Sequence, residues 1–507
     1  MGAEGPALRR IPRHGPLRAP HPPMSSKLPS LLPHASTPLP RFIAGQVEAE
    51  GAAWDVPDRA AGGPLAQVHG AGPEEVERAI DAAERCHRVG VPPAHVRKGI
   101  LERLAAQVAG HAEALAELIT RESGKPLRDA RGEVSRAQTT LALAAEACAR
   151  PSGAHWPLDA TSAADGYQAF EKRVPVGPIA LITPFNFPLN LVAHKLGPAL
   201  AAGCPFVLKP APQTPLSAWI LLHWLHADPA LPAGFANLVL CDHETAAPLI
   251  EDARLRFLSF TGSDAVGWQL RARAVGRRVC LELGGNAACV VDRDSDLDHV
   301  VERLTVGAFA HSGQSCISVQ RVLVHRELCA ELTERWCTRV ERLRVGDPLD
   351  PRTDVGPLID TAAAERLESW ICSAQSEGAQ VLTGGVRSGS VLQPSLLSKV
   401  PKSAELWSQE AFGPVACIAP FDELEEAFER VNASSFGLQA GLFTTRLDAA
   451  FAAWDRLEVG GLVVGDVPSV RFDAMPYGGV KRSGLGREGL ESAVAELTEA
   501  RLLLVRP

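Results

Sequence analysis

The chain has 507 residues, 46% of them hydrophobic, with a formal net charge of −8 and a pI near 6.0. That length suffices for two or three domains with large apolar cores, and the acidic balance argues against the long-range positive field on which a nucleic-acid binder relies. The 11 cysteines form no CxxC pair and no regular spacing, so they read as reduced thiols of a cytoplasmic protein rather than as a disulfide framework or a metal site, and no uncharged apolar run reaches the roughly 18 residues that cross a bilayer.

Residues 1–40 carry Arg9, Arg10, Arg13 and Arg18 among prolines that would break a targeting helix repeatedly. They read as a disordered extension, with Met24 as an alternative start, and ordered sequence is expected from Arg41-Phe42-Ile43. From Pro73 to Ala149, apolar residues recur at three- and four-residue intervals, as in Val76, Ile80 and Ala83, or Ile100, Leu101, Leu104 and Val108. This period predicts helices with one buried face. Short apolar runs at 179–182, 206–208 and 236–240 then alternate with helix-like stretches at 189–202 and 216–225. Strand and helix in alternation predict a doubly wound α/β sheet.

A fourth strand, 257–260, runs into Thr261-Gly262-Ser263-Asp264-Ala265-Val266-Gly267, where the chain can turn tightly and present backbone N–H groups at a helix start. Gly262, Ser263 and Gly267 are therefore candidates for contact with a dinucleotide pyrophosphate, although the segment lacks the G-x-G-x-x-G pattern and a Gly-Ser turn can be merely a turn. A second α/β unit begins at 289–291 and continues to about Val470. The expected division is a Rossmann-like cofactor domain from 41–152 and 177–286, a catalytic domain at 287–478, and a bridging element from 153–176 and 479–507, whose apolar Leu502-Leu503-Leu504-Val505 reads as an edge strand that needs a partner.

Three segments carry chemistry. Cys316 lies in Gly313-Gln314-Ser315-Cys316, Glu282 in Leu281-Glu282-Leu283-Gly284-Gly285, and Asn186 in Pro184-Phe185-Asn186-Phe187-Pro188. A thiol that attacks, a carboxylate that deprotonates water and an amide that holds an oxyanion are the parts of covalent catalysis on a carbonyl. Singly, each has a plainer reading: a small buried thiol, a salt-bridged acid, a turn or helix-cap asparagine.

Together with Lys209-Pro210, Phe260-Thr261-Gly262-Ser263, Glu410-Ala411-Phe412-Gly413-Pro414 and Pro476-Tyr477-Gly478-Gly479-Val480-Lys481, in this order from about residue 42 to the C-terminus, these segments resemble the NAD(P)-dependent aldehyde dehydrogenase superfamily. The resemblance implies that family's α/β fold and oxidation of an aldehyde to the acid through a thiohemiacetal and a thioacyl-enzyme on Cys316. By the same resemblance Asn186 and the Cys316 N–H form the oxyanion site, Glu282 is the base that frees the acid, and Lys195 belongs to the active-site network. Lys209 contacts the adenosine ribose, Glu410 the nicotinamide ribose, and Phe412 packs beside the ring. Pro212 stands where NAD-preferring relatives carry a glutamate, so NADP is not repelled there; NAD is slightly favoured and both stay open. Subunits of this family pair through C-terminal tails, which implies a homodimer or homotetramer.

Asn186, Asn190 and His194 are spaced to share one helix face, and with Ser315 they predict a polar pocket; His194 has the alternative of a structural histidine. Arg471 is either the cation for an anionic tail or a partner of Asp466 or Asp473 at the surface. The segment around it resembles the lactaldehyde and phospho- or phosphono-aldehyde group, so the expected substrate is a small hydroxylated or anionic aldehyde. The rivals are a coenzyme A-acylating enzyme, which the intact Glu282 disfavours, and a catalytically silent oligomer that keeps the fold.

Overall fold

Five short strands form the parallel centre of the first sheet, in the spatial order Ala236–Leu238, Phe206–Lys209, Ile179–Ile182, Phe257–Thr261 and Arg278–Glu282. Helices cover such strands on both faces, so they read in sequence as unbroken apolar runs. Antiparallel strands complete the sheet to eight, with Arg41–Ile43 and Gln46–Glu48 on one edge and Gly484–Leu485 on the other. The computed structural model describes residues 31–32, 37–150 and 153–506. The expectation of a disordered start and the question of Met24 fall largely outside them, but the boundary at 41 is too late. Leu32 and Leu39 are buried in the first core, and Leu39 bridges Val68.

The helical period between 73 and 149 resolves into Pro73–Val89, Ala94–Gly110, Ala112–Ser123 and Leu127–Ala147. Two of these helices cap the crossover helices of the sheet from a distance. Asn190–Ala202 and Leu216–His226 begin after Leu189 and Pro215, neither of which has a side chain that accepts a hydrogen bond. Buried Glu133 accepts from the backbone N–H of Leu189 at 2.9 Å and of Asn190 at 3.1 Å, and buried Glu122 accepts from Leu216 at 2.8 Å and Ser217 at 3.0 Å. A carboxylate at a helix start meets both the orphan donors and the positive end of the dipole. The second oxygen of Glu133 pairs with Lys125, which is fully buried. Glu133→Ala is therefore expected to uncap one helix and strand a buried ammonium, at a cost of about 3–5 kcal/mol. A thermal unfolding midpoint equal to that of the parent would contradict this.

The second sheet has seven strands in the order Gln380–Thr383, Ser395–Ser398, Val415–Phe421, Arg321–His325, Ala288–Val291, Gln439–Phe443 and Gly461–Val464, antiparallel only at the first pair. A third, three-stranded sheet joins Gly153–Trp156, Gln168–Pro175 and Thr498–Val505. Of the tail assigned to the bridging element, only Thr498–Val505 lies in this small sheet. Val480–Lys481 pairs with Phe436–Gly437, and Gly484–Leu485 closes the edge of the first sheet beside Glu282. No helix among the described residues is long and apolar enough to cross a membrane.

Candidate active site

A cleft of about 650 Å³ lies where the carboxyl ends of the first sheet's parallel strands meet the amino ends of strands in the second. The first sheet contributes Asn186 after Ile179–Ile182, Lys209 at the end of its strand with Pro212 beyond it, Gly262 and Ser263 after Phe257–Thr261, and Glu282 as the last residue of Arg278–Glu282. From the second unit come Ser315 and Cys316 ahead of Arg321–His325, and Glu410 and Phe412 ahead of Val415–Phe421. Strand ends in open α/β sheets face ligands because the loops diverge there.

The loop that presents Cys316 is held in an unusual shape. His311, Ser312 and Gly313 take φ of 50°, 54° and 68° in succession. Left-handed backbone of this kind costs of order 1–3 kcal/mol at a non-glycine residue unless its surroundings impose it. Here they do. The His311 N–H donates to Asp129 at 2.8 Å, the Ser312 hydroxyl donates to the Gly356 carbonyl at 2.9 Å, and Gln314 Oε1 accepts from Ile359 N–H at 2.9 Å. Gly313 is pressed against the Gly413 backbone, where a Cβ would collide.

Asn186 reaches this loop from the other side. Its Nδ2 donates to the Gln314 carbonyl at 3.0 Å, which leaves the second amide hydrogen for another acceptor. The Cys316 N–H makes no hydrogen bond among the described residues. Asn186 and Cys316 line the same cleft. Asn186 lies in the turn before Asn190–Ala202, not on the helix, so the expected single face of Asn186, Asn190 and His194 does not exist.

Glu282 is buried, and neither of its oxygens is hydrogen bonded to a protein group among the described residues. Burial first, and then the neighbouring Glu488 carboxylate, push its carboxyl well above the ordinary range. The two glycines that follow serve close approach rather than a left-handed turn. A Cβ at Gly284 would fall on the Glu410 carboxylate, and one at Gly285 on the Cys316 carbonyl. Glu410 Oε1 accepts from the Gly285 N–H at 2.9 Å, and burial pushes its carboxyl up to about 8.

Lys209, Pro212, Gly262, Ser263, Glu410 and Phe412, the candidates for dinucleotide contact, all line the cleft. Lys209 is buried in the wall with its ammonium lowered by desolvation, and its Nζ makes no hydrogen bond among the described residues. Ser263 caps the Asp264–Arg273 helix by accepting from the Val266 N–H at 3.4 Å. Phe412, at φ 50°, packs edge-on against Phe185 with centroids 5.7 Å apart. Gly267 does not line the cleft, and its role is packing: a Cβ there would strike the Leu283 side chain.

The substrate end departs further from expectation. Asn190 borders the cleft, but its amide is committed to Asp473 at 3.3 Å and its oxygen to the Thr140 hydroxyl at 3.0 Å. His194 lies outside the cleft, buried, with Nε2 2.8 Å from Asp473, and burial followed by Arg471 keeps its imidazole below the usual range. It is a structural histidine. Lys195 also lies behind the cleft wall, donating to the Ser259 hydroxyl at 2.8 Å and to Glu488 at 3.0 Å. Arg471 pairs with neither Asp466 nor Asp473. It lines the cleft, reaches Glu488 at 3.2 Å, and lies over the Tyr477 ring at 3.7 Å from the centroid.

Three residues to which sequence reasoning gave no role complete this end. Arg136, on Leu127–Ala147, borders the cleft and is held by Asp473 at 2.7 Å. Glu488 is the hub between Lys195 and Arg471; burial alone would raise its carboxyl, but those cations outweigh it and hold it down at about 2. The Tyr477 hydroxyl lies 3.1 Å from Cys316 Sγ. The ion pairs of this cluster join three cations, Arg136, Arg471 and Lys195, to two carboxylates, Asp473 and Glu488.

The sequence profile described as the aldehyde dehydrogenase family matches residues 47–503. The chain is 40% identical over 465 residues to the 3-sulfolactaldehyde dehydrogenase of Priestia aryabhattai, covering 92% of this chain and 97% of that one. The crystal structure of aldehyde dehydrogenase 21 from Physcomitrella patens, in complex with the reaction product succinate, superposes with a TM-score of 0.91 at 40% identity, covering 93% of this chain and 98% of the other. Glyceraldehyde-3-phosphate dehydrogenase GapN from Methanocaldococcus jannaschii, complexed with NADP, superposes with a TM-score of 0.86 at 34% identity, covering 89% and 99%.

Proposed function

The chain belongs to the aldehyde dehydrogenase family, whose members oxidise aldehydes with NAD or NADP, and from that premise we propose that its substrate is a small aldehyde with an anionic tail. The observation that carries this reading is the pair Arg136 and Arg471 on the cleft wall, with Arg471 only one aromatic ring away from the Cys316 sulfur. Three cations sharing two carboxylates favour an acceptor-rich anion at the cleft wall, because charge-assisted hydrogen bonds are about twice as strong as neutral ones. Sulfolactaldehyde, for which one relative is named, and succinate, with which another was crystallised, carry such tails.

In the proposed mechanism Cys316, as thiolate, attacks the carbonyl carbon, the S–C bond forms, and the carbonyl π pair becomes an oxyanion between Asn186 Nδ2–H and the Cys316 N–H. Lys209, Ser263, Glu410 and Phe412 would hold the dinucleotide, which would supply the acceptor for the hydride that leaves the adduct carbon as the oxyanion re-forms C=O and a thioester remains on Cys316. Glu282 then takes a proton from water as that water cleaves the thioester and releases the acid. Pro212 offers no carboxylate to repel a 2′-phosphate, so both cofactors are expected to serve, with NAD slightly favoured. The outward faces of Phe170 and Leu502–Val505 on the small sheet are the proposed contact with a second subunit.

A panel of aldehydes run with NAD and with NADP tests the substrate reading. Small carboxy-, sulfo- or phospho-aldehydes are expected to exceed hexanal and benzaldehyde in kcat/KM. Arg471→Ala is expected to lower kcat/KM for the anionic members by about 10–100-fold and the neutral ones far less. A preference for long apolar aldehydes, or equal losses on both classes, would remove the anionic-tail reading.

A further inference from the structure

The Tyr477 hydroxyl has one hydrogen-bond partner among the described residues, and that partner is the sulfur of Cys316 at 3.1 Å. Everything about Tyr477 fixes this contact. Its backbone is tied to Glu488 in both directions, accepting at 2.6 Å and donating at 2.9 Å. The ring is buried beneath Arg471 and beside Ile317 and Leu438. Such a side chain loses almost no freedom when it donates, so the hydrogen bond is preorganised.

The sulfur needs that help. Burial pushes the Cys316 thiol up to about 12, and Glu410 and Glu282 act in the same direction. Tyr477 and Arg471 oppose them, the first by hydrogen bonding and the second by charge. Of the two partners in the contact, the phenol is the one that keeps its proton: burial and the neighbouring Cys316 hold it well above its ordinary value. A thiolate can only accept, so once the thiol has lost its proton to water in the cleft, Tyr477 is the donor.

We propose that Tyr477 is a catalytic residue whose hydroxyl donates to the Cys316 thiolate, stabilising it and holding it aimed into the cleft. This rests on the reading of Cys316 as the nucleophile. Tyr477 keeps its proton throughout. When the S–C bond forms, the sulfur's negative charge passes to the carbonyl oxygen, the hydrogen bond to sulfur weakens, and it strengthens again when the acid leaves and the thiolate returns. The stabilisation carries a cost in reactivity, since a thiolate of lower basicity is a weaker nucleophile, with a Brønsted slope of about 0.4–0.5.

That cost makes the inference testable apart from activity. The rate at which the full-length protein attacks 4,4′-dithiodipyridine is followed against pH, with Cys316→Ala subtracted as background. In Tyr477→Phe, which keeps the ring under Arg471, the thiolate loses its donor, and a midpoint higher by about one pH unit is expected to slow the reaction about threefold throughout the range below the midpoint. The chain has only 2 tyrosines, and the other, Tyr167, lies against Arg506 at 5.1 Å. Replacing both by 3,5-difluorotyrosine strengthens the donor, and is expected to lower the midpoint and speed the neutral reaction without truncating any side chain. Superimposable profiles in all three proteins would overturn the role of Tyr477 while leaving Cys316 in place. A reactive thiol and aldehyde oxidation that both persist in Cys316→Ala would overturn the nucleophile reading, and this inference with it.

Discussion

Cys316→Ala is expected to abolish aldehyde-dependent reduction of NAD(P)+, by about four orders of magnitude or more, while cofactor binding survives. The loss is large because no other group can take over. Cys316 is the only cysteine on the cleft wall among the described residues, and Cys280 and Cys289 are buried in the sheets. Ser315 borders the same space, but a hydroxyl without an adjacent base is a far weaker nucleophile than a thiolate. Without the covalent intermediate, the donors of Asn186 and of the backbone have no oxyanion to stabilise, so their contribution goes with the sulfur. Groups that act as one unit lose their effects together.

The fold should not register this substitution, which makes the result interpretable. The left-handed run at His311, Ser312 and Gly313 is anchored by Asp129, Gly356 and Ile359, none of which touches the sulfur. Lys209, Ser263 and Glu410 are positioned by the sheet ends and by Gly285. Steady-state production of reduced cofactor, beside a fluorescence titration with NAD and NADP, measures both halves. Substantial residual oxidation in a protein that still binds cofactor would remove Cys316 as the nucleophile.

What could be read from the sequence follows from how local each determinant is. The strands Ile179–Ile182, Phe206–Lys209 and Phe257–Thr261 are legible because burial on both faces demands a continuous apolar run. Lys209, Glu282, Cys316 and Glu410 are legible because each sits in a short motif whose glycines or prolines are needed for close approach, as the crowding at Gly284, Gly285 and Gly313 makes plain. The substrate end is not local. Arg136 and Asp473 meet across most of the chain, and no pattern near either announces the other. His194 takes the structural alternative because the chain at Asn186 is still a turn, so no common face continues to it, and because its partner Asp473 is buried rather than at the surface. The caps supplied by Glu122 and Glu133 are equally remote from the helix starts they serve.

Glu282→Gln is expected to separate the two halves of the reaction. A rapid burst of about one reduced cofactor per active site should be followed by a steady rate lower by about 10²–10⁴-fold, the usual contribution of a positioned base. The physical reason lies in the environment of the carboxyl. Buried and next to the ionised Glu488, Glu282 is held well above the ordinary carboxylate range, so its neutral form prevails until the pH has risen through that elevated value. Glutamine has the same shape and the same neutrality, so formation of the S–C bond and removal of the hydride meet an almost unaltered site. Only the step that needs a proton taken from water is lost. The sign with pH follows: the basic form of Glu282 grows as pH rises, so the parent's kcat should climb about tenfold per pH unit below that value, whereas the slow phase of the variant should lack this climb. An unchanged steady rate would remove Glu282 from thioester hydrolysis. A missing burst would move its role to the earlier step, where the thiol of Cys316 must lose its proton.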